Sequence, residues 1–124
     1  MAEKHVSIEE LIRRVKAHPR IAEAGMILCH NGIVRASDRS GSKTVTGLRV
    51  SADSAKIEEI RSWAESQDGI ICVLIKAFEG EFAVGDDLLY VVVAGDIREN
   101  VFRVMRETVE RVKAEGVRKQ ESYL

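Results

Sequence analysis

Two near-continuous apolar runs, Ile70–Ala77 (IICVLIKA) and residues 88–94 (LLYVVVA), set the tightest limit on what this chain can fold into. A strand with one wet face alternates apolar and polar residues; these runs do not. Both are therefore expected to be central in a sheet, or covered on both faces. Glu79-Gly80 and Gly85-Asp86-Asp87 supply turns between them.

Covering both faces of a sheet requires helices, and three segments offer them. Ser7-Ile8-Glu9-Glu10 fits the S-x-x-E capping box, and Ile8, Leu11, Ile12 and Val15 recur at helical steps, so residues 7–17 are predicted as an amphipathic helix stopped by Pro19. Asp53 or Ser54 can cap a second, running to about Gln67 with Ile57, Ile60 and Trp63-Ala64 on one face. The third and longest spans about 97–115, with Gly116 as its C′ residue. Residues 25–30 (GMILCH) read as a strand, Asn31-Gly32 as a two-residue hairpin turn, and Ile33-Val34-Arg35 as the return strand. The polar, turn-rich stretch 36–43 reads as a mobile loop before a third strand at 44–50. The resulting order, α-β-β-β-α-β-β-α, argues an α+β fold with a mixed or antiparallel sheet, because a doubly wound sheet needs a helix at nearly every crossover.

At 124 residues and 45% apolar content, one domain spanning 1–124 and one core are expected. The 19 basic and 20 acidic residues nearly cancel, which excludes a globally basic nucleic-acid binder. No apolar run approaches the ~18 residues of a membrane span. The start Met1-Ala2-Glu3-Lys4-His5 lacks the apolar stretch of a secretory signal, so a cytoplasmic location is expected. Cys29 and Cys72 sit in apolar runs without metal-ligand spacing and are expected to be reduced core residues.

The balanced average hides a segregation. Arg35, Arg39, Lys43 and Arg49 face one acid, Asp38, in residues 35–49; seven basic residues face four acids in residues 98–119. If the fold joins these stretches they focus potential for an anion; if not, they are two solvated faces. On the third helix, Val101, Met105, Thr108, Val109 and Val112 form an apolar stripe with Phe102 at its flank. Arg98 falls within ~25° of the stripe's centre, in the first turn, where the helix dipole disfavours a cation. Either its stem snorkels to water or a carboxylate, or it points into an anion pocket. Lys113 lies ~85° from the centre, at the edge of the buried face. His5, His18 and His30 are too scattered for a metal site, and no nucleophile elbow, dinucleotide fingerprint or P-loop is present, so neither metal nor cofactor is expected. Cys29 beside His30 makes a poor nucleophile pair, since strand neighbours point to opposite faces. The aromatics do not interleave with the cations as in an RNA-binding surface.

Asn31-Gly32-Ile33-Val34-Arg35, the Ser40-Gly41 loop, Gly80-Glu81-Phe82-Ala83-Val84-Gly85-Asp86-Asp87 before an apolar strand, Arg98 opening the last helix with Phe102 after it, Lys113, and Lys119-Gln120-Glu121 resemble, in order and spacing, the large catalytic subunit of molybdopterin synthase. The resemblance runs from about residue 24 to 121. It implies α/β-hammerhead subunits in a homodimer, with a small ubiquitin-like sulfur carrier at each end of the heterotetramer. The carrier's C-terminal Gly-Gly thiocarboxylate would enter a pocket where sulfur passes to cyclic pyranopterin monophosphate, giving molybdopterin. Such a pocket must neutralise a phosphate and a thiocarboxylate.

Carried over by position, Arg35 matches the family arginine after the hairpin and Arg98 the arginine opening the last helix. Both would bind substrate, and Arg39 is grouped with them. Lys113 matches the central catalytic lysine and Lys119 the lysine of a Lys-x-Glu segment; either could act in acid/base chemistry, or Lys113 could accept the carrier's acyl group. The resemblance implies that Arg35, Arg98, Lys113 and Lys119 converge on one pocket. Family members usually carry His where this chain has Ile97, and an aromatic and proline-containing stretch where it has Ser51-Ala52-Asp53. A non-catalytic relative that binds a pterin or a carrier is the alternative these departures leave open.

Overall fold

The computed structural model describes residues 6–124. The expectations placed on residues 1–5, including His5, lie outside the described residues. Helix α1 spans Ile8–Lys16, and the Ser7 hydroxyl caps it by accepting from the Glu10 amide at 3.2 Å. Only that half of the capping box forms; the Glu10 carboxylate lies 3.6 Å from Arg14 instead. A 3-10 turn, Ile21–Glu23, leads into β1, Met26–Ile33. Then come β2 (Val45–Ala52), α2 (Ser54–Glu65), β3 (Ile70–Ala77), β4 (Gly80–Phe82), β5 (Asp87–Gly95), α3 (Arg98–Arg111), a π turn (Val112–Gly116) and β6 (Val117–Tyr123). Asp53 is the cap of α2, accepting from the Lys56 amide at 3.0 Å.

The strands form two antiparallel sheets, ordered β1-β5-β3 and β4-β2-β6. Strand β5 is central and buried almost throughout, as its unbroken apolar run requires. Leu89, Val91 and Val93 face a core shared with α2 and α3, while Tyr90, Val92 and Ala94 face a second core under α1. Strand β3 is not central. It lies at the sheet edge, and only its first half, Ile70 to Val73, is fully buried.

The expected hairpin at Asn31-Gly32 does not form. Strand β1 runs straight through it, pairing Asn31 with Tyr90 and Gly32 with Leu89, and the ladder shifts only between Gly32 and Ile33. A type I′ turn needs positive φ at both central residues, and neither has it. The return strand is therefore absent. Val34 instead exchanges backbone bonds with the 85–86 turn. The 36–43 stretch is organised around Asp38, whose carboxylate accepts from Ser40 Oγ at 2.8 Å and the Ser42 amide at 3.1 Å.

Two strands escaped the sequence. Gly80–Phe82, expected as a turn, pairs with β2, and the tail after Gly116 forms β6 on the other side of β2. Cys29, expected in the core, is exposed; Cys72 is buried. Nor is Gly116 a left-handed helix cap, since its φ is not positive. It is buried in the π turn, where a Cβ would come within 2.9 Å of Ile57 Cγ1. Glycine here permits close approach of the turn to α2.

Candidate active site

Loop, helix end and terminal strand meet around an open cavity of about 990 Å³. Its apolar floor comes from Val34, Val45, Leu48, Leu88 and Val109; Arg35, Arg39, Lys113 and Lys119 supply its positive walls, with Glu110 and Glu121 at the margin. The two basic stretches of the sequence therefore do meet. Among the described residues, none of these four cations is ion-paired to a carboxylate. A smaller hollow of about 540 Å³ lies over the second sheet, but there Arg49 is already paired with Glu81.

Each cation is placed by a local cause. Arg35 follows the end of β1, and its Nε donates to the Ser37 carbonyl at 3.0 Å, which ties the guanidinium to the loop. Arg39 sits in the Asp38-centred turn. Lys113 lies in the π turn, where the i→i+5 spacing interrupts the regular helical stripe. Lys119 pairs across β6 with Val50, and Glu121 with Leu48, so both project from the face that carries those buried residues. The loop is fastened to β6 by the Lys43 ammonium, 4.7 Å from the centre of the Tyr123 ring, and by the Leu124 amide donating to the Thr44 carbonyl at 3.1 Å. Tyr123 in turn donates its hydroxyl to Glu121 at 3.0 Å.

Lys119 is open to the cavity, yet enough protein surrounds it for burial to lower its pKa. The charge of Lys113 adds to that shift, and Glu121 opposes it. A lysine in this setting gives up its proton more readily than one on a free surface.

Arg98 is not part of the cavity in this chain. The helix rises about 1.5 Å per residue, which puts Arg98 on the order of 22 Å from Lys113. Its side chain is 78% exposed, with Nε 3.4 Å from Glu99. Of the four cations implied to converge, Arg35, Lys113 and Lys119 line one cavity of this chain together with Arg39, and Arg98 does not. Val101, one turn later, is fully buried over Gly95, the last residue of β5, whereas Arg98 in the first turn meets solvent.

One residue close enough to feel the charges of the site was missed. Burial first, then the charges of Lys113 and Lys119, hold the pKa of His30 below its ordinary value, and its Nε2 is buried without a hydrogen-bond partner. The period-two series Met26, Leu28, His30 on β1 could have found it, because its first two members pack on the α3 side.

The family model described as "MoaE protein" matches residues 1–115, a span that includes Arg35, Arg39, Arg98 and Lys113 and stops short of Lys119. A protein of Haloferax volcanii described as a probable molybdopterin synthase is 31% identical over 117 residues, covering 91% of this chain. The chain spans only 45% of that relative's length. Among solved structures, a molybdopterin synthase from Staphylococcus aureus superposes with a TM-score of 0.78 at 16% identity, over 98% of this chain and 88% of that one. A molybdopterin cofactor biosynthesis protein E from Burkholderia multivorans gives 0.75 at 20% identity, over 100% and 90%. A complex of subunits 1 and 2 of the molybdopterin-converting factor from Helicobacter pylori gives 0.71 at 18% identity, over 96% and 83%. At these identities the structures establish the shared fold, and the sequence match establishes the family: this chain belongs to the MoaE protein family.

Proposed function

We propose that the chain is the sulfur-transferring large subunit of a molybdopterin synthase, converting cyclic pyranopterin monophosphate to molybdopterin with sulfur from the C-terminal thiocarboxylate of a small carrier subunit. The observation that carries this is the gathering of Arg35, Arg39, Lys113 and Lys119 around one cavity with an apolar floor. A phosphate and a thiocarboxylate are both anions, and four cations with no ion pair among the described residues are available to neutralise them. The apolar floor suits the flat pterin, while water driven out by the filled cavity strengthens every charge contact in it. Arg35 and Arg39 hold the anionic groups. Lys113 and Lys119 serve the chemistry, as proton donor and acceptor or, for Lys113, as transient acceptor of the carrier's acyl group. The family relationship and the Helicobacter pylori complex support a small-subunit partner.

A homodimer accounts for Arg98. Lying far from Lys113 on its own chain, it serves a pocket only if a second copy presents one. The reaction is assigned to the cytoplasm, where both free cysteines remain reduced. No helix among the described residues is long and apolar enough to cross a membrane.

The test is to incubate the purified protein with thiocarboxylated carrier and cyclic pyranopterin monophosphate and to follow dithiolene formation by mass spectrometry. Product that vanishes in Lys113→Ala supports the proposal. Carrier binding without product marks a non-catalytic relative, the reading favoured by Ile97 and by the solvent-facing Arg98.

A further inference from the structure

His30 lies behind the cavity lysines, and sulfur transfer assigns it no task. It stands on β1 opposite Val91 of β5, on the strand face that packs toward α3. Its Nε2 is fully enclosed and makes no hydrogen bond. The charged groups acting on it are Lys113 from the π turn, the stronger of the two, and Lys119 from β6; its β5 neighbour is apolar. Burial and both charges disfavour the imidazolium.

An ammonium offers three donors and no acceptor. A hydrogen on Nε2 would therefore set a donor against donors, whereas a bare Nε2 is the complement of its surroundings. The neutral tautomer with hydrogen on Nδ1 meets this condition. An anionic ligand takes one or two of a lysine's donors, and once water leaves the filled cavity the remaining one needs an acceptor.

We propose that His30 is a positioning residue of the cavity, a neutral imidazole whose Nε2 lone pair accepts the spare hydrogen of the Lys113 ammonium and so fixes where that lysine aims. For the reaction it serves, this rests on the sulfur-transfer proposal; for its geometry it does not.

Two measurements decide it. In 15N NMR of the imidazole, Nε2 should be unprotonated in the neutral form, and titration should occur below 6.5 and move upward in Lys113→Met. A hydrogen on Nε2, or a titration indifferent to Lys113→Met, overturns the proposal. In turnover, His30→Phe should lower kcat about ten-fold and displace the alkaline limb of the pH profile, with KM for the pterin within about two-fold of wild type. His30→Gln, which restores an acceptor oxygen, should recover most of the loss. A His30→Phe enzyme with the wild-type pH profile overturns the role. If the wild type transfers no sulfur, the functional proposal fails, and the NMR experiment alone decides His30.

Discussion

Lys119 stands opposite Val50 across the β2–β6 ladder, so a charged side chain projects from the same face as a buried valine. That placement brings it beside Lys113 on the π turn, and the two ammonium groups share one cavity with His30 behind them.

Removing Lys113 should separate chemistry from folding. The side chain is exposed and has no ion pair among the described residues, so Lys113→Ala is expected to melt like the wild type. Sulfur transfer should fall by about 10²–10⁴-fold, the range for loss of an acid/base group. Turnover close to wild type in a mass-spectrometric assay would remove Lys113 from the mechanism.

Arg98 should act in trans. Mixed dimers of Arg98→Ala and Lys113→Ala chains contain one pocket with both residues intact, one from each copy. Two inactive proteins should therefore regain activity after denaturation and joint refolding. No recovery in verified mixed dimers would place Arg98 outside the reaction.

His30 should make the fold sensitive to mild acid. The unfolded imidazole takes up its proton near 6.5, while the folded one waits for a lower pH. Between the two values the unfolded state binds more protons, so stability is lost as the pH falls through 6.5 and levels off below the folded value. His30→Phe should flatten this part of a urea-denaturation series, which lies above the carboxylate range. An unchanged slope would contradict the shift.

Gly116→Ala should destabilise the fold by about 1–3 kcal/mol, because the new methyl must displace Ile57. Ile57→Ala, which removes the Cγ1 that the new methyl would meet, should cost less in the Gly116→Ala background than on its own. The melting temperatures of the four proteins in the cycle measure the coupling.

Local signals were legible wherever local physics decides. Ser7 and Asp53 cap their helices, and residues 88–94 form the covered strand that their unbroken apolar character demands. Asn31-Gly32 misled because its turn propensity yields to a long-range partner, β5, which offers the chain a continuous ladder. Strand β6 was hidden for a related reason. Arg118, Lys119, Gln120 and Glu121 carry no apolar alternation, and their pairing partner lies some 70 residues earlier in the chain. Charge counting and the family resemblance together indicated Arg35, Arg39, Lys113 and Lys119. Neither could show where the sheet ends beneath α3, and so neither could place Arg98.

Strand β5 is a wall common to two rooms: Val91 and Val93 line one core, Tyr90 and Val92 the other. Neither core can open while the strand between them keeps its place, so the two should exchange their amide hydrogens as one cooperative unit. An anion held by Lys113 and Lys119 would then slow exchange not only around the cavity but also beneath α1, on the far side of the sheet. Occupancy of the site becomes a property the whole molecule registers.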